Sequence, residues 1–211
     1  NRYPKFPFLS LTVSGGHTQL VIVNDYNNFK KIGITLDDAA GEAFDKTSKF
    51  LGLGYPGGPI IDDLSKKGNP IFKFSKPKIK DYDFSFSGLK TSIIYFIKKQ
   101  LKGNSKFIED NINDLCSSIQ HSIVEILVEK TIKCAIDFII KQICIVGGVP
   151  ANSHLREKLN SECLINKFDL FYPKINYCTD NASMIAVSGY FNHLNKKFSD
   201  LDKVIDSRLS F

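Results

Sequence analysis

The chain has no tryptophan, one methionine and no cysteines paired as C-x-x-C. Its five cysteines, Cys116, Cys134, Cys144, Cys163 and Cys178, are odd in number and widely spread, which argues against both a zinc framework and a disulfide scaffold. Apolar neighbours around Cys134 and Cys144 suggest small buried hydrophobes in a reducing compartment. No apolar run is long enough to span a bilayer. Asn1-Arg2-Tyr3-Pro4 has neither a methionine nor the h-region of a signal peptide, so the chain reads as a piece of a longer one. The four histidines, His17, His121, His154 and His193, are scattered, with no pair at metal-ligand spacing. A Ser–His or Cys–His nucleophile therefore has no support, and the zinc motif and glutamate of a metalloprotease are absent.

What is present is one domain's length, 211 residues, with a formal net charge of +6. That charge permits a nucleic-acid partner without demanding one. Lysine, asparagine, isoleucine and phenylalanine are abundant together, as AT-rich coding produces, so the lysine excess is not by itself a functional message. Apolar runs at Phe8–Val13 and Gln19–Val23 read as a hairpin, with Lys31–Leu36 as a third antiparallel strand. Asp37 or Asp38 then caps a helix over about 39–51. The run Tyr55-Pro56-Gly57-Gly58-Pro59 stops that helix, and a short one follows over 60–67. Residues 68–83 read as a lysine- and proline-rich surface excursion. Helices follow over 87–102 and 112–141, the second carrying a regular apolar stripe that reads as core. Strand 143–146, helix 152–160, strand 169–172 and helix 181–195 complete a mixed sheet flanked by helices.

Two glycine turns stand at the ends of apolar runs, Ser14-Gly15-Gly16-His17-Thr18 and Gly147-Gly148. Bare amides at such turns suit phosphate oxygens, and two of them suggest a nucleotide held at both ends. Taken alone, the first turn reads as an ordinary hairpin before it reads as a phosphate cradle. Asp38, Glu42 and Asp45 share a helix face, with Asp45 as a ribose-hydroxyl acceptor or the three as a solvated acidic face. Asp62 is the polar group best placed beside the Pro-Gly-Gly-Pro loop. Phe84-Ser85-Phe86-Ser87 with Lys90 reads as a buried edge strand before it reads as a stacking platform for bases. Asn152 and Asp180 read as helix N-caps.

Taken together, S-G-G-H-T-Q-L, D-D-A-A-G-E-A-F-D-K-T, G-Y-P-G-G-P, F-S-F-S-G-L-K-T, G-G-V-P-A-N-S-x-L-R and C-T-D-N-A-x-M-I-A resemble, in order, the tRNA N6-adenosine threonylcarbamoyltransferase family. The resemblance covers the C-terminal two-thirds of a usual member. It implies an actin-like ATPase (ribonuclease H-like) lobe over 1–174, with 175–211 carrying a metal-ligand loop and a helix returning toward a first lobe that is missing. It also implies a cytoplasmic enzyme, away from membranes, that moves threonylcarbamoyl from its adenylate to N6 of the adenosine 3′ of the tRNA anticodon. Thr12, Val13, Ser14, Gly15 and Gly16 would hold the adenylate, with Asp45, Gly58, Asp62 and Asn152 completing the pocket. Asp180 would ligate Fe2+, and the metal and backbone amides would polarise the carbamoyl carbonyl. Its implied partners are tRNA, threonylcarbamoyl-AMP or an ATP-like adenylate, and the proteins of the modification complex, including a paralogous actin-like subunit.

The sequence departs from the family in a few places. Thr12 stands where members usually carry an apolar residue. The H-x-x-x-H pair that completes the metal set normally lies before the point where this chain begins, so one carboxylate would be left without useful iron affinity. The ending, Ile205 to Phe211, fits the family poorly. The alternative expectation is a non-catalytic, nucleotide-binding scaffold or partner subunit of the same complex.

Overall fold

The computed structural model describes residues 3–204; the ending at 205–211 lies outside the described residues. Five strands form one mixed sheet in the order β3-β2-β1-β4-β5. Strands β1 (Phe8–Val13), β2 (Thr18–Asp25) and β3 (Asn28–Ile34) run antiparallel in sequence. Strands β4 (Gln142–Val146) and β5 (Asp169–Phe171) join parallel to β1 and to each other. Alternation sets the buried face: Leu9, Leu11 and Val13 of β1 and Ile143 and Ile145 of β4 are fully buried. Leu9 stands opposite Ile143 and Leu11 opposite Ile145.

Helices α1 (Ala40–Phe50), α2 (Gly57–Ser65), α3 (Ser87–Leu101), α4 (Phe107–Asp137) and α5 (Ser153–Asn166) pack on that face. The α4 stripe of Leu115, Ile119, Ile123 and Leu127 is fully buried, because a spacing of four puts these residues on one face. At Asn111 the chain kinks, so the regular part of α4 starts at residue 112, as its apolar period predicts. It stops at Asp137, where Phe138 and a left-handed Ile139 turn the chain toward β4. The last helix, α6 (Ala182–Leu194), has no buried residue; it touches the rest through Phe191, whose ring stacks on Tyr26 at 3.7 Å between centroids. No helix among the described residues is long and apolar enough to cross a membrane.

Three local expectations need correction. Neither Asp37 nor Asp38 caps α1, whose N-cap is Ala39. The Asp37 carboxylate instead accepts from Phe86 N (2.7 Å), Ser87 N (3.2 Å) and Ser85 Oγ, serving the start of α3. Second, the Pro-Gly-Gly-Pro run starts α2 rather than merely ending α1. Pro56 is the N-cap, and the Gly57 amide donates to Asp45 Oδ1 at 2.7 Å. Third, α5 runs to Asn166 instead of stopping near 160, because Leu155, Leu159 and Cys163 keep one buried stripe going.

The lysine-rich segment 66–81 is pinned along α4 rather than looping free. Asn69 N donates to Asp114 Oδ1, Phe72 N to Ser118 Oγ, and Lys130 Nζ donates to the carbonyls of Ile79, Lys80 and Asp81. Phe84 and Phe86 are fully buried, which leaves no ring there for a base to stack on.

Candidate functional site

The two glycine turns meet because β1 and β4 are parallel neighbours and both turns leave the carboxyl ends of those strands. Gly147 sits at φ +106°, and a Cβ there would lie 2.2 Å from Val13 O. Only glycine permits that contact. The first turn is closed on itself. Ser14 Oγ accepts from Gly16 N (3.3 Å) and His17 N (3.0 Å), and Ser14 N donates to His17 O (2.8 Å). Gly41, in the first turn of α1, donates to Ser14 O at 3.2 Å, and a Cβ on Gly41 would come within 2.5 Å of that oxygen. The helix start is thus pressed onto the turn.

Between these elements lies a cavity of about 320 Å³, lined by Gly15, Asp45, Gly58, Asp62, Gly148 and Asn152, with walls of Phe44, Tyr55, Pro56 and Val149. Its size and its mix of apolar wall with a few polar groups suit a small organic ligand. Residues 15, 45, 58, 62 and 152 of the sequence-derived set therefore come together. Thr12 and Ser14 line an adjoining hollow of about 590 Å³ instead, together with His17, Gly147 and Asp180. Val13 has a fully buried side chain, so only its main chain is available. Gly16 is exposed and its amide is engaged by Ser14 Oγ.

Each carboxylate at the cavity is held in place. Asp45 Oδ1 accepts from the first amide of α2, a favourable place for an anion. Asp62 Oδ1 accepts from Ser153 Oγ (2.7 Å) and Ser153 N (3.2 Å), and Asp62 Oδ2 pairs with Lys66 at 3.2 Å. A carboxylate has acceptor capacity left after such bonds, so a ribose hydroxyl can be taken as well. Asn152 is the N-cap of α5, its Oδ1 accepting from Leu155 N at 2.9 Å. Its Nδ2 donates to Gln120 Oε1 at 2.6 Å, and Gln120 Nε2 donates to Ser65 Oγ at 2.7 Å. Gln120 and Ser65 are buried and tie α4 and α2 to Asn152. Sequence reasoning missed both; the one signal was a polar residue inside an otherwise apolar helical stripe.

Asp180 does not cap α6. Asn181 does, its Oδ1 accepting from Met184 N at 3.1 Å, while Asp180 faces the hollow shared with Thr12, Ser14 and His17. No group of three His, Cys, Asp or Glu side chains among the described residues is placed to hold a metal ion, so these residues alone do not fit iron.

The histidines are less scattered in space than in sequence. His121 Nδ1 and His154 Nε2 lie 3.4 Å apart, and His121 Nε2 is 3.3 Å from Glu125 Oε1. Burial, and then the neighbouring His121, hold the His154 imidazole below its ordinary pKa, with Glu157 and Asp62 pulling the other way and Lys158 adding to the depression. The cysteines are all free. Burial pushes the thiols of Cys116 and Cys134 up to about 12 and those of Cys144 and Cys163 to about 11, far from a thiolate nucleophile.

A model of the family described as tRNA N6-adenosine threonylcarbamoyltransferase matches residues 1–187. The tRNA N6-adenosine threonylcarbamoyltransferase of Riemerella anatipestifer is 51% identical over 206 residues, covering 97% of this chain and 60% of that protein. The protein of the same name from Porphyromonas gingivalis is 46% identical over 211 residues, covering 100% and 62%. Among solved structures, full-length HypF in its phosphate- and nucleotide-bound form is similar over 93% of this chain and 34% of its own, with a TM-score of 0.67 at 10% identity. At that identity the likeness concerns the fold alone, an actin-like, ribonuclease H-like lobe. The chain spans about 60% of the length of the curated relatives it matches.

Proposed function

This chain belongs to the tRNA N6-adenosine threonylcarbamoyltransferase family, and we propose that it supplies the adenylate-binding side of a site that transfers threonylcarbamoyl from threonylcarbamoyl-AMP to N6 of the adenosine 3′ of a tRNA anticodon. The observation that carries the reading is the single cavity where Gly15, Gly148, Asp45, Gly58, Asp62 and Asn152 converge. Asp45 and Asp62 take the ribose hydroxyls, and the rings of Tyr55 and Pro56 offer a flat wall for the base. The amides of Gly15 and Gly148, which line the cavity, face the phosphate and the carbamoyl oxygen. In the reaction the exocyclic amine forms a C–N bond to the carbamoyl carbon, the C–O bond to phosphate breaks, and AMP leaves while the amine loses a proton. Amides fixed beforehand by the Val13–Gly147 contact stabilise the charge that develops on the carbamoyl oxygen, at no cost of reorganisation. No histidine or cysteine lines this cavity, which favours direct transfer over an intermediate bonded to the chain.

In this reading Asp180 is one iron ligand, with the others, an H-x-x-x-H pair, carried outside the described residues; no step is derived through the metal. Partner proteins of the modification complex, including a paralogous actin-like subunit, complete the enzyme. The purified 211-residue chain is expected to bind ATP and AMP but to transfer no threonylcarbamoyl, because its own donors cannot hold iron. Co-expression with a segment bearing H-x-x-x-H is expected to bring stoichiometric iron and activity. Nucleotide binding without iron or transfer would identify a scaffold instead, and absence of adenine-nucleotide binding in the joined protein would end the proposal.

A further inference from the structure

Charge is distributed very unevenly along this chain. Residues 66–106 hold eleven lysines against two acids, Asp81 and Asp83, whereas the remainder has 17 basic and 20 acidic residues. Part of the excess is used locally, since Lys66, Lys76 and Lys90 are ion-paired and Lys130 braces the segment from below. Five of the remaining eight lie on or beside the second half of α3. Tyr95, Lys98, Lys99 and Lys102 follow at intervals of three and four, so they share one face of the helix, and all four are exposed, Tyr95 by 71%. Lys73 is brought beside them by folding alone: Phe72 and Phe74 pack on Phe96, and Ser75 N donates to Ser92 Oγ at 3.0 Å. Lys106 adds a sixth member just before α4, where Phe107 packs on Phe96.

Like charges three and four residues apart destabilise a helix, and no acid on this face relieves them. The dipole at the end of α3 offsets part of that cost for the last turn but says nothing of Lys73 or Tyr95. Glu109 and Asp110 begin α4, where its dipole favours them, and Asp110 is engaged by Asn104. A row of lysines with no ion pair among the described residues, around one exposed aromatic ring, suits a polyanion with stackable bases.

We propose that the Tyr95/Lys98/Lys99/Lys102 face of α3, with Lys73 and Lys106, is the surface on which a structured RNA lies, the phosphates on the lysines and an unpaired base on Tyr95. The proposal rests on the tRNA-modifying reading above for the kind of RNA, and deepens it by placing the backbone contacts away from the adenylate cavity.

The test uses the full 211-residue chain and an unmodified tRNA transcript with adenosine 3′ of its anticodon. The triple variant Lys98→Gln/Lys99→Gln/Lys102→Gln is expected to weaken tRNA binding tenfold or more at about 100 mM salt, and to lower the slope of log K against log salt by about two to three. Tyr95→Ser is expected to weaken binding severalfold and leave the slope unchanged. A control triple, Lys30→Gln/Lys197→Gln/Lys203→Gln, removes equal charge elsewhere and is expected to change affinity less than about twofold. Equal losses in the two triples, an unchanged salt slope, or no tRNA binding by the unaltered chain would overturn the proposal. So would a loss confined to anionic phospholipid vesicles with tRNA binding spared. ATP titration runs alongside: its failure strikes the adenylate site, while a tRNA slope that still responds to the α3 lysines keeps this surface.

Discussion

Gly147 and Gly148 are neighbours with opposite demands. Gly147 combines a left-handed φ of +106° with a backbone oxygen 2.2 Å from where a Cβ would stand, whereas a Cβ on Gly148 or Gly58 meets nothing within 4 Å. Gly147→Ala should therefore destabilise the fold by about 2–3 kcal/mol or more, since strain and the clash with Val13 act together. Chemical denaturation with unchanged m-value would show it. Gly148→Ala and Gly58→Ala should melt within a few degrees of the parent yet bind ATP at least severalfold more weakly, because the added methyls enter the cavity. Normal ATP affinity in both would remove that cavity as the nucleotide site.

His154 gives a second expectation at this scale. Its folded pKa lies below the ordinary imidazole value, so the unfolded chain binds its proton first. Stability should be full above about pH 6.5 and fall as the pH drops toward the folded pKa. Its surroundings, His121, Glu125, Glu157, Lys158 and Asp62, are mixed in sign, so burial sets the direction. His154→Gln should flatten the dependence of urea midpoint on pH below about 6.5. An unchanged slope would mean that His154 is not the titrating group.

Between elements, buried polar ties do what apolar packing cannot: they fix direction. The chain Ser65–Gln120–Asn152 joins α2, α4 and α5 behind the cavity, and every partner is buried. Gln120→Leu leaves Asn152 Nδ2 without its partner, which costs about 1–3 kcal/mol, while Ser65 Oγ keeps its bond to the Asp62 carbonyl. Weaker nucleotide binding should accompany that loss, because the Asn152 side chain is then held only at Oδ1, by Leu155 N. The α1–α3 contact is tied by Asp38, reached by both Lys46 and Lys90 at 2.6 Å. Burial alone would raise the Asp38 pKa, but hydrogen bonds from these two lysines outweigh it and hold the carboxyl below its usual range. That contribution is present above about pH 4 and disappears as acid protonates Asp38.

At the scale of the molecule, stability is unequal across the described residues. Strands β1 and β4 and the helix α4 share one core, while α6 buries no residue and shows Met184, Ile185, Val187, Tyr190 and Leu194 to solvent. Few buried contacts mean a low local opening free energy. Hydrogen exchange in the isolated chain should protect β1, β4 and α4 to near the global limit and α6 hardly at all. If α6 is instead protected as well as α4, the exposed apolar face is covered in solution.

Much of this architecture was legible before folding. Apolar runs placed β1, β2 and β4, the 3.6-residue stripe placed α4, and glycine after each strand marked both turns. Side-chain targets were not legible. Asp37 serves amides about 50 residues away, Gln120 sits within a stripe that reads as core, and His121 meets His154 across 33 residues. Nothing in local spacing records such pairs, because each depends on how segments distant in sequence pack together.

The amino-acid pattern by itself determined the mixed sheet, the order of its elements and the backbone chemistry of two glycine turns, since these follow from period, turn residues and the freedom of a missing Cβ. Only the tertiary structure decided that both turns open on one cavity, that Thr12 and Ser14 face a neighbouring hollow with Asp180, and that lysines from separate segments share a surface. Strand pairing brings together ends that lie more than 130 residues apart in sequence, and distance along the chain carries no information about that meeting.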